Sequence, residues 1–88
     1  MSIEEMLLEA GCEGAAYFTD PDYKTAIIGT SHDGRCVYSY EKMVEFLMTD
    51  EGGGMSEEDA RDWISYNTER TIPYMGSRAP VIVYDVLM

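Results

Sequence analysis

Few residues in this chain have the reactivity to make or break bonds. The sole histidine, His32, stands beside Ser31, with Cys36 four residues on. A Ser–His or Cys–His nucleophile needs a third group to orient the imidazole. The Asp33-Gly34 pair that follows His32 marks a hairpin tip, and such tips are exposed and mobile. His32 therefore reads as a solvated turn residue. Cys12, His32 and Cys36 would supply three zinc ligands, but a structural site wants four, and the close cysteine pair of such sites is lacking. In a reducing cytosol the two cysteines are expected as free thiols. Asp20 and Asp22 flank Pro21 with oxygens suited to hard cations, yet without EF-hand spacing. They read as turn aspartates bonding their own backbone. Gly52-Gly53-Gly54 lacks the lysine and the following Ser/Thr of a phosphate loop, so it reads as a flexible link between helices. No catalytic residue, metal ligand or cofactor is assigned, and the expectation is a protein that is not an enzyme.

These residues hang on a short series of elements. Ser2 caps a helix ending at Gly11, with Glu4 and Glu5 at its positive end and Ile3, Met6, Leu7 and Ala10 as its apolar stripe. Ala15–Phe18 is a strand candidate, stopped by the turn around Pro21. Thr25–Thr30 and Arg35–Tyr38 form a hairpin across the Asp33-Gly34 turn. Ser39 caps a helix from Tyr40 to Thr49, whose Tyr40, Met43, Val44, Leu47 and Met48 give the best helical period in the chain. Ser56 opens another helix through a capping-box-like pattern with Asp59. Its face continues through Ala60, Trp63, Ile64 and Asn67, and Pro73 limits it to about Thr71. Pro80–Val86 is a strand, apolar on both faces, which predicts a place inside a sheet. Together these predict an α+β domain over residues 1–88: an antiparallel or mixed sheet of three or four strands packed against a helical pair.

The end of the last helix, Tyr66 to Gly76, carries more polar and aromatic groups than a helix end requires. Asn67, on the Trp63/Ile64 face, is expected to be buried and hydrogen-bonded. Arg70 complements the helix dipole, and Pro73, Gly76 and Pro80 steer the chain toward the final strand. Tyr66, Tyr74 and Arg78 are left over, and tyrosine and arginine are favoured anchors at protein interfaces. Glu57, Glu58, Asp59 and Asp62 crowd the helix start, where the dipole favours carboxylates. Glu57, Glu58, Asp62, Tyr66, Glu69, Tyr74 and Arg78 form the candidate partner-binding set.

Charge decides which partners are plausible. Seventeen acidic residues face six basic ones, a net charge of −11 over 88 residues. Phosphate backbones are repelled by such a surface, which argues against direct nucleic-acid binding. A basic protein surface is attracted, and its association is accelerated. The 45% hydrophobic content suits a globular domain. No apolar run has the length of a membrane helix, and the acidic start is unlike a secretory signal, so a cytoplasmic protein is expected.

The runs YEKMVEFLM (Tyr40–Met48), SEEDARDWISYNTER (Ser56–Arg70) and IPYMGSRAPVIVYDV (Ile72–Val86) resemble a family of small uncharacterised proteins encoded by phages and prophages of gut-type bacteria. That family pairs Asp-Gly-Arg-hydrophobic-Val-Tyr, matched at Asp33–Tyr38, with Tyr-Asn-Thr and Pro-Tyr, matched at Tyr66–Thr68 and Pro73-Tyr74. The resemblance covers most of the chain from Tyr23 onward. It implies a mobile-element protein acting in a host cell. Joined to the charge, it suggests an anti-CRISPR-type inhibitor that occludes a basic, nucleic-acid-binding surface of a host protein such as a CRISPR effector. The alternative is a structural or accessory phage protein that self-associates, its acidity serving solubility.

Overall fold

The structure, a computed structural model, describes residues 2–85. Helix α1 spans Ile3–Glu9. Ser2 Oγ accepts from Glu5 N at 3.1 Å and Ser2 N donates to Glu5 Oε1 at 3.2 Å, closing a full capping box. Ile3 and Leu7 bury the helix's apolar stripe, while Ala10, placed on that stripe by spacing, is exposed.

A single 3₁₀ turn, Lys24–Ala26, leads into strand β1 (Ile27–Thr30). Strand β2 (Cys36–Ser39) returns antiparallel, with Thr30 opposite Cys36 and Ile27 opposite Tyr38 across a register shift. Gly34 holds a φ of +81° in the turn between them, a conformation side chains disfavour. Helix α2 (Tyr40–Met48) follows at once, capped by Ser39. Residues 49–55 are a hydrogen-bonded turn with a defined path: Gly54 N donates to Thr49 O at 2.7 Å and Met55 N to Leu47 O at 3.0 Å. Helix α3 spans Glu57–Trp63. Strand β3 (Val81–Val83) closes the sheet parallel to β2, with Val37 opposite Val81 and Ser39 opposite Val83.

The fold is thus α+β, with a mixed three-stranded sheet in the order β1-β2-β3. Helix α2 packs against β2, and α3 against α2. The core between them holds Tyr23, Tyr38, Met43, Leu47 and Ile64, all fully buried. Phe18, Tyr23, Tyr38 and Phe46 meet there edge-on or tilted, with Phe18 and Tyr38 centroids 4.8 Å apart and Tyr23 and Phe46 centroids 5.9 Å apart.

Three expectations are corrected. Ala15–Phe18 forms no strand: Ala16 N reaches Arg78 O at 3.1 Å and Phe18 N bonds the Tyr38 hydroxyl at 3.1 Å, so a side chain stands where a ladder partner would. The final strand lies at the sheet edge among the described residues, not inside it, and its residues are half-buried. A continuous apolar run reports cover on both faces and says nothing about which strands flank it. Val86, assigned to that strand by sequence, lies outside the described residues. Finally, the last helix is not one α-helix to Thr71. It widens into a π-turn at Ile64–Thr68 and tightens into a 3₁₀ stretch over Glu69–Tyr74, with Pro73 inside it.

Candidate functional site

Helix α3 and its π-turn build an open, mixed polar–aromatic surface. Ser56 Oγ accepts from Asp59 N at 3.2 Å and starts the helix. The reciprocal bond that Glu5 makes in α1 has no counterpart here, since the Asp59 side chain is one methylene shorter. From that start, Asp59, Asp62, Trp63 and Tyr66 fall at i, i+3, i+4 and i+7, which puts them on one stripe. Ala60, Ile64 and Thr68 point the other way and are buried.

The π-turn sets which side chains beyond Trp63 face the core. Glu69 N donates to Ile64 O, a span of five residues instead of four. The widened turn brings Thr68 inward, where its hydroxyl lies 2.8 Å from the Tyr23 hydroxyl. It leaves Asn67 exposed, against the expectation of a buried asparagine, with Nδ2 donating to Trp63 O at 3.1 Å. Side-chain repair of a carbonyl near the bulge thus replaces the buried role that helical spacing predicted.

Met55, Asp59, Asp62, Trp63, Tyr66 and Asn67 line a shallow depression of about 390 Å³. Of its lining residues, Trp63 and Met55 are half-buried against the core and Tyr66 is 67% exposed. The carboxylates of Asp59 and Asp62 make no hydrogen bond or ion pair among the described residues. The surface therefore offers two free anions beside two aromatic rings.

A second acidic hollow, between α1 and residues 13–17, is already engaged within the fold. Tyr17 donates to Glu4 Oε1 at 2.7 Å, and that bond pushes the Tyr17 phenol above its ordinary range. The Ser2 amide and hydroxyl hold the Glu5 carboxyl below its own.

The candidate residues divide accordingly. Asp62 and Tyr66 meet in the α3 depression. Glu58 is exposed beside it, and Tyr74, 90% exposed, stands at the end of the 3₁₀ stretch. Glu57 turns to Arg61, whose Nε lies 3.3 Å from Glu57 Oε2. Glu69 is half-buried near Tyr84, whose phenol is pushed up by burial and then by that carboxylate. Arg78 is engaged inside the fold: its guanidinium donates to Glu13 O at 2.7 Å and Gly34 O at 2.9 Å, tying the loop after α1 to the hairpin turn. Asp59 and Trp63 join the site although sequence reasoning leaves them out of the candidate set. The i, i+3, i+4, i+7 spacing with Asp62 and Tyr66 carries the signal, but Trp63 reads equally well as core.

The residues considered for catalysis are not gathered in this way. His32 is exposed in the hairpin turn. Ser31 Oγ bonds the Asp33 carboxylate and accepts from Arg35 N at 3.0 Å, and the Ser31 bond, with Arg35, lowers the Asp33 carboxyl. Cys12 and Cys36 are free and buried, and burial raises the Cys36 thiol, the opposite of an activated nucleophile. Asp22 Oδ1 accepts from Lys24 N at 3.0 Å, as a turn aspartate does. Among the described residues no three His, Cys, Asp or Glu side chains are placed to share a metal ion.

No protein-family model, curated protein or solved structure matches this chain.

Proposed function

We propose that this chain is a non-enzymatic, acidic binding protein of a phage or other mobile element. It occludes a basic, nucleic-acid-binding surface of a host protein in the manner of an anti-CRISPR inhibitor. One observation carries the reading: of the 17 carboxylates, only Asp33, Glu41 and Glu57 form ion pairs among the described residues, leaving 14 outside them. Carboxylates outside ion pairs on a small body offer a basic groove negative charge like that of a nucleic-acid strand. They lower the cost of desolvating that groove's own lysines and arginines only when they meet it directly. The host-cell setting is part of this proposal and is motivated by the resemblance of the Tyr40–Met48, Ser56–Arg70 and Ile72–Val86 runs to small phage and prophage proteins.

The test is competition. The purified chain is added to a basic nucleic-acid-handling protein, such as a guide-loaded CRISPR effector, and target-strand binding is measured across salt concentrations. Inhibition near ~0.1 M salt that fades toward ~1 M, where the Debye length falls to ~3 Å, is expected. Inhibition indifferent to salt overturns the mechanism, and unimpeded strand binding overturns the function.

One feature favours a second reading, a self-associating accessory protein. Among the described residues strand β1 lies at a sheet edge with Ile28 49% exposed, and an apolar groove lined by Met6, Leu7, Ala10 and β1 runs beside it. Edge strands can pair with further strands. Light scattering after size exclusion separates the readings: a stable oligomer that leaves strand binding untouched supports the second.

A further inference from the structure

We infer that the α3 depression is an arginine receptor: it seats a guanidinium from the partner's surface on the rings of Trp63 and Tyr66, with its N–H groups donating to the carboxylates of Asp59 and Asp62. The inference rests on the proposed docking function and names the side chain that this part of the surface recognises.

Three observations lead to it. The first is the composition of the hollow. Two carboxylates without partners among the described residues sit within one helical stripe of two aromatic side chains, one half-buried and one exposed. An aromatic face attracts a cation through its quadrupole, and the carboxylates add charge-assisted hydrogen bonds.

The second is shape. The depression is open and shallow, so it admits the tip of a side chain projecting from another surface and would not enclose a free small molecule.

The third lies on the other side of the same helix. There the fold uses this chemistry on its own arginine. The Arg61 guanidinium carbon is 5.4 Å from the centre of the Tyr40 ring, its Nη2 is 3.2 Å from Glu41 Oε2, and its Nε is 3.3 Å from Glu57 Oε2. These contacts raise the Arg61 guanidinium above its ordinary value, first through Glu41 and then through Tyr40. Arg61 of α3 is thus received by a ring and a carboxylate of α2 together with Glu57 of its own helix. The opposite stripe of α3 presents groups of the same two kinds, aromatic and carboxylate, with no cation among the described residues.

Arginine is favoured over lysine by geometry. A planar guanidinium stacks on a ring and still presents donors at its edge to two carboxylates, whereas an ammonium is a compact, strongly hydrated point charge. Phosphate groups are excluded by Asp59 and Asp62 themselves.

Trp63 is the chain's only tryptophan, so it reports on the site directly. The full-length protein is titrated, at low salt, with a short glycine–serine peptide carrying two arginines and with the same peptide carrying lysines, following Trp63 emission. The arginine peptide is expected to shift the emission and saturate, binding several-fold more tightly than the lysine peptide. The double variant Asp59→Asn/Asp62→Asn is expected to weaken binding by about tenfold, and Tyr66→Ala by about threefold, the range of modest ion-pair and cation–π contributions. All three positions are surface ones, and circular dichroism checks that each variant is folded.

Equal affinity for the two peptides overturns the arginine preference. Binding that leaves Trp63 emission unchanged, or that survives Asp59→Asn/Asp62→Asn, overturns the site. In the competition assay, inhibition that persists in the double variant sinks the arginine site while the occlusion function stands. Absence of inhibition by the unaltered protein sinks the function itself.

Discussion

Tyr23 is fully buried, and its hydroxyl meets that of Thr68 at 2.8 Å, joining the loop before β1 to the π-turn. Replacing Tyr23 with Phe keeps the ring and orphans the buried Thr68 hydroxyl. The expected loss is about 1–2 kcal/mol in urea denaturation, and adding Thr68→Val should restore part of it by removing the orphan. The same residue makes the fold sensitive to alkali. Burial pushes the Tyr23 phenol from 10.0 up to about 12, with the Thr68 bond pulling weakly the other way. Below pH ~10 both folded and unfolded chains keep the proton, and the stability is whole. Between 10.0 and about 12 the unfolded chain binds fewer protons than the folded one, so stability falls as pH rises. Burial raises Tyr38 as well, extending the loss further up the scale. The melting temperature should therefore drop above pH ~10, and less steeply in Tyr23→Phe.

At the scale of elements, helix starts differ in what they join. Ser39 Oγ accepts from Lys42 N at 3.3 Å and donates to the Asp85 carboxylate, 2.9 and 3.0 Å from its oxygens. It caps α2 while fastening the chain beyond β3, and it is fully buried. Ser56 only caps, at the surface. Ser39→Ala should cost about 2–3 kcal/mol and Ser56→Ala about 1 kcal/mol or less, compared by chemical denaturation. The glycine turn between α2 and α3 makes a second contrast. A Cβ at Gly52 would collide with Phe46 O and lie 2.7 Å from Leu47 Cα, so backbone must move. At Gly54 a Cβ meets nothing within 4 Å, and only its φ of +64° opposes a side chain. Gly52→Ala should lose about 1–3 kcal/mol or more, against about 1 kcal/mol for Gly54→Ala, read from thermal unfolding.

For the whole molecule, charge and size set the physics. The radius of gyration is 12.7 Å. At ~0.01 M salt the Debye length is ~30 Å, so every carboxylate feels the others; at ~1 M it is ~3 Å and only neighbours interact. With a net charge of −11 and few ion pairs, the folded state is under self-repulsion that salt relieves. The melting temperature is expected to climb on going from ~0.01 to ~0.5 M NaCl. Relief of even ~1 kcal/mol corresponds to ~4–8 °C for a domain of this size. A flat salt profile would mean that the carboxylates are compensated locally, which would weaken the case for a surface that docks through them.

What the sequence determined by itself was local and cumulative. The Asp33-Gly34 hairpin, the caps at Ser2, Ser39 and Ser56, the apolar stripe of α2 and the net charge each depend on residues a few positions apart or on composition alone. They suffice for the α+β class and for an acidic docking reading. Tertiary structure decided the rest. Which strand is central depends on pairings between residues far apart, so the apolar β3 could not reveal its edge position. Whether Asn67 or Thr68 turns inward depends on one extra residue in a helical turn, which the Tyr23–Thr68 contact from a distant loop helps hold. Arg78 looked like an interface anchor because its two carbonyl partners, on Glu13 and Gly34, are close only once the chain has folded. Trp63 reads by spacing as part of the apolar face with Ala60 and Ile64, but only packing showed it half-buried beside the exposed Asp59, Asp62 and Tyr66, because burial is a property of what surrounds a helix and not of the helix itself.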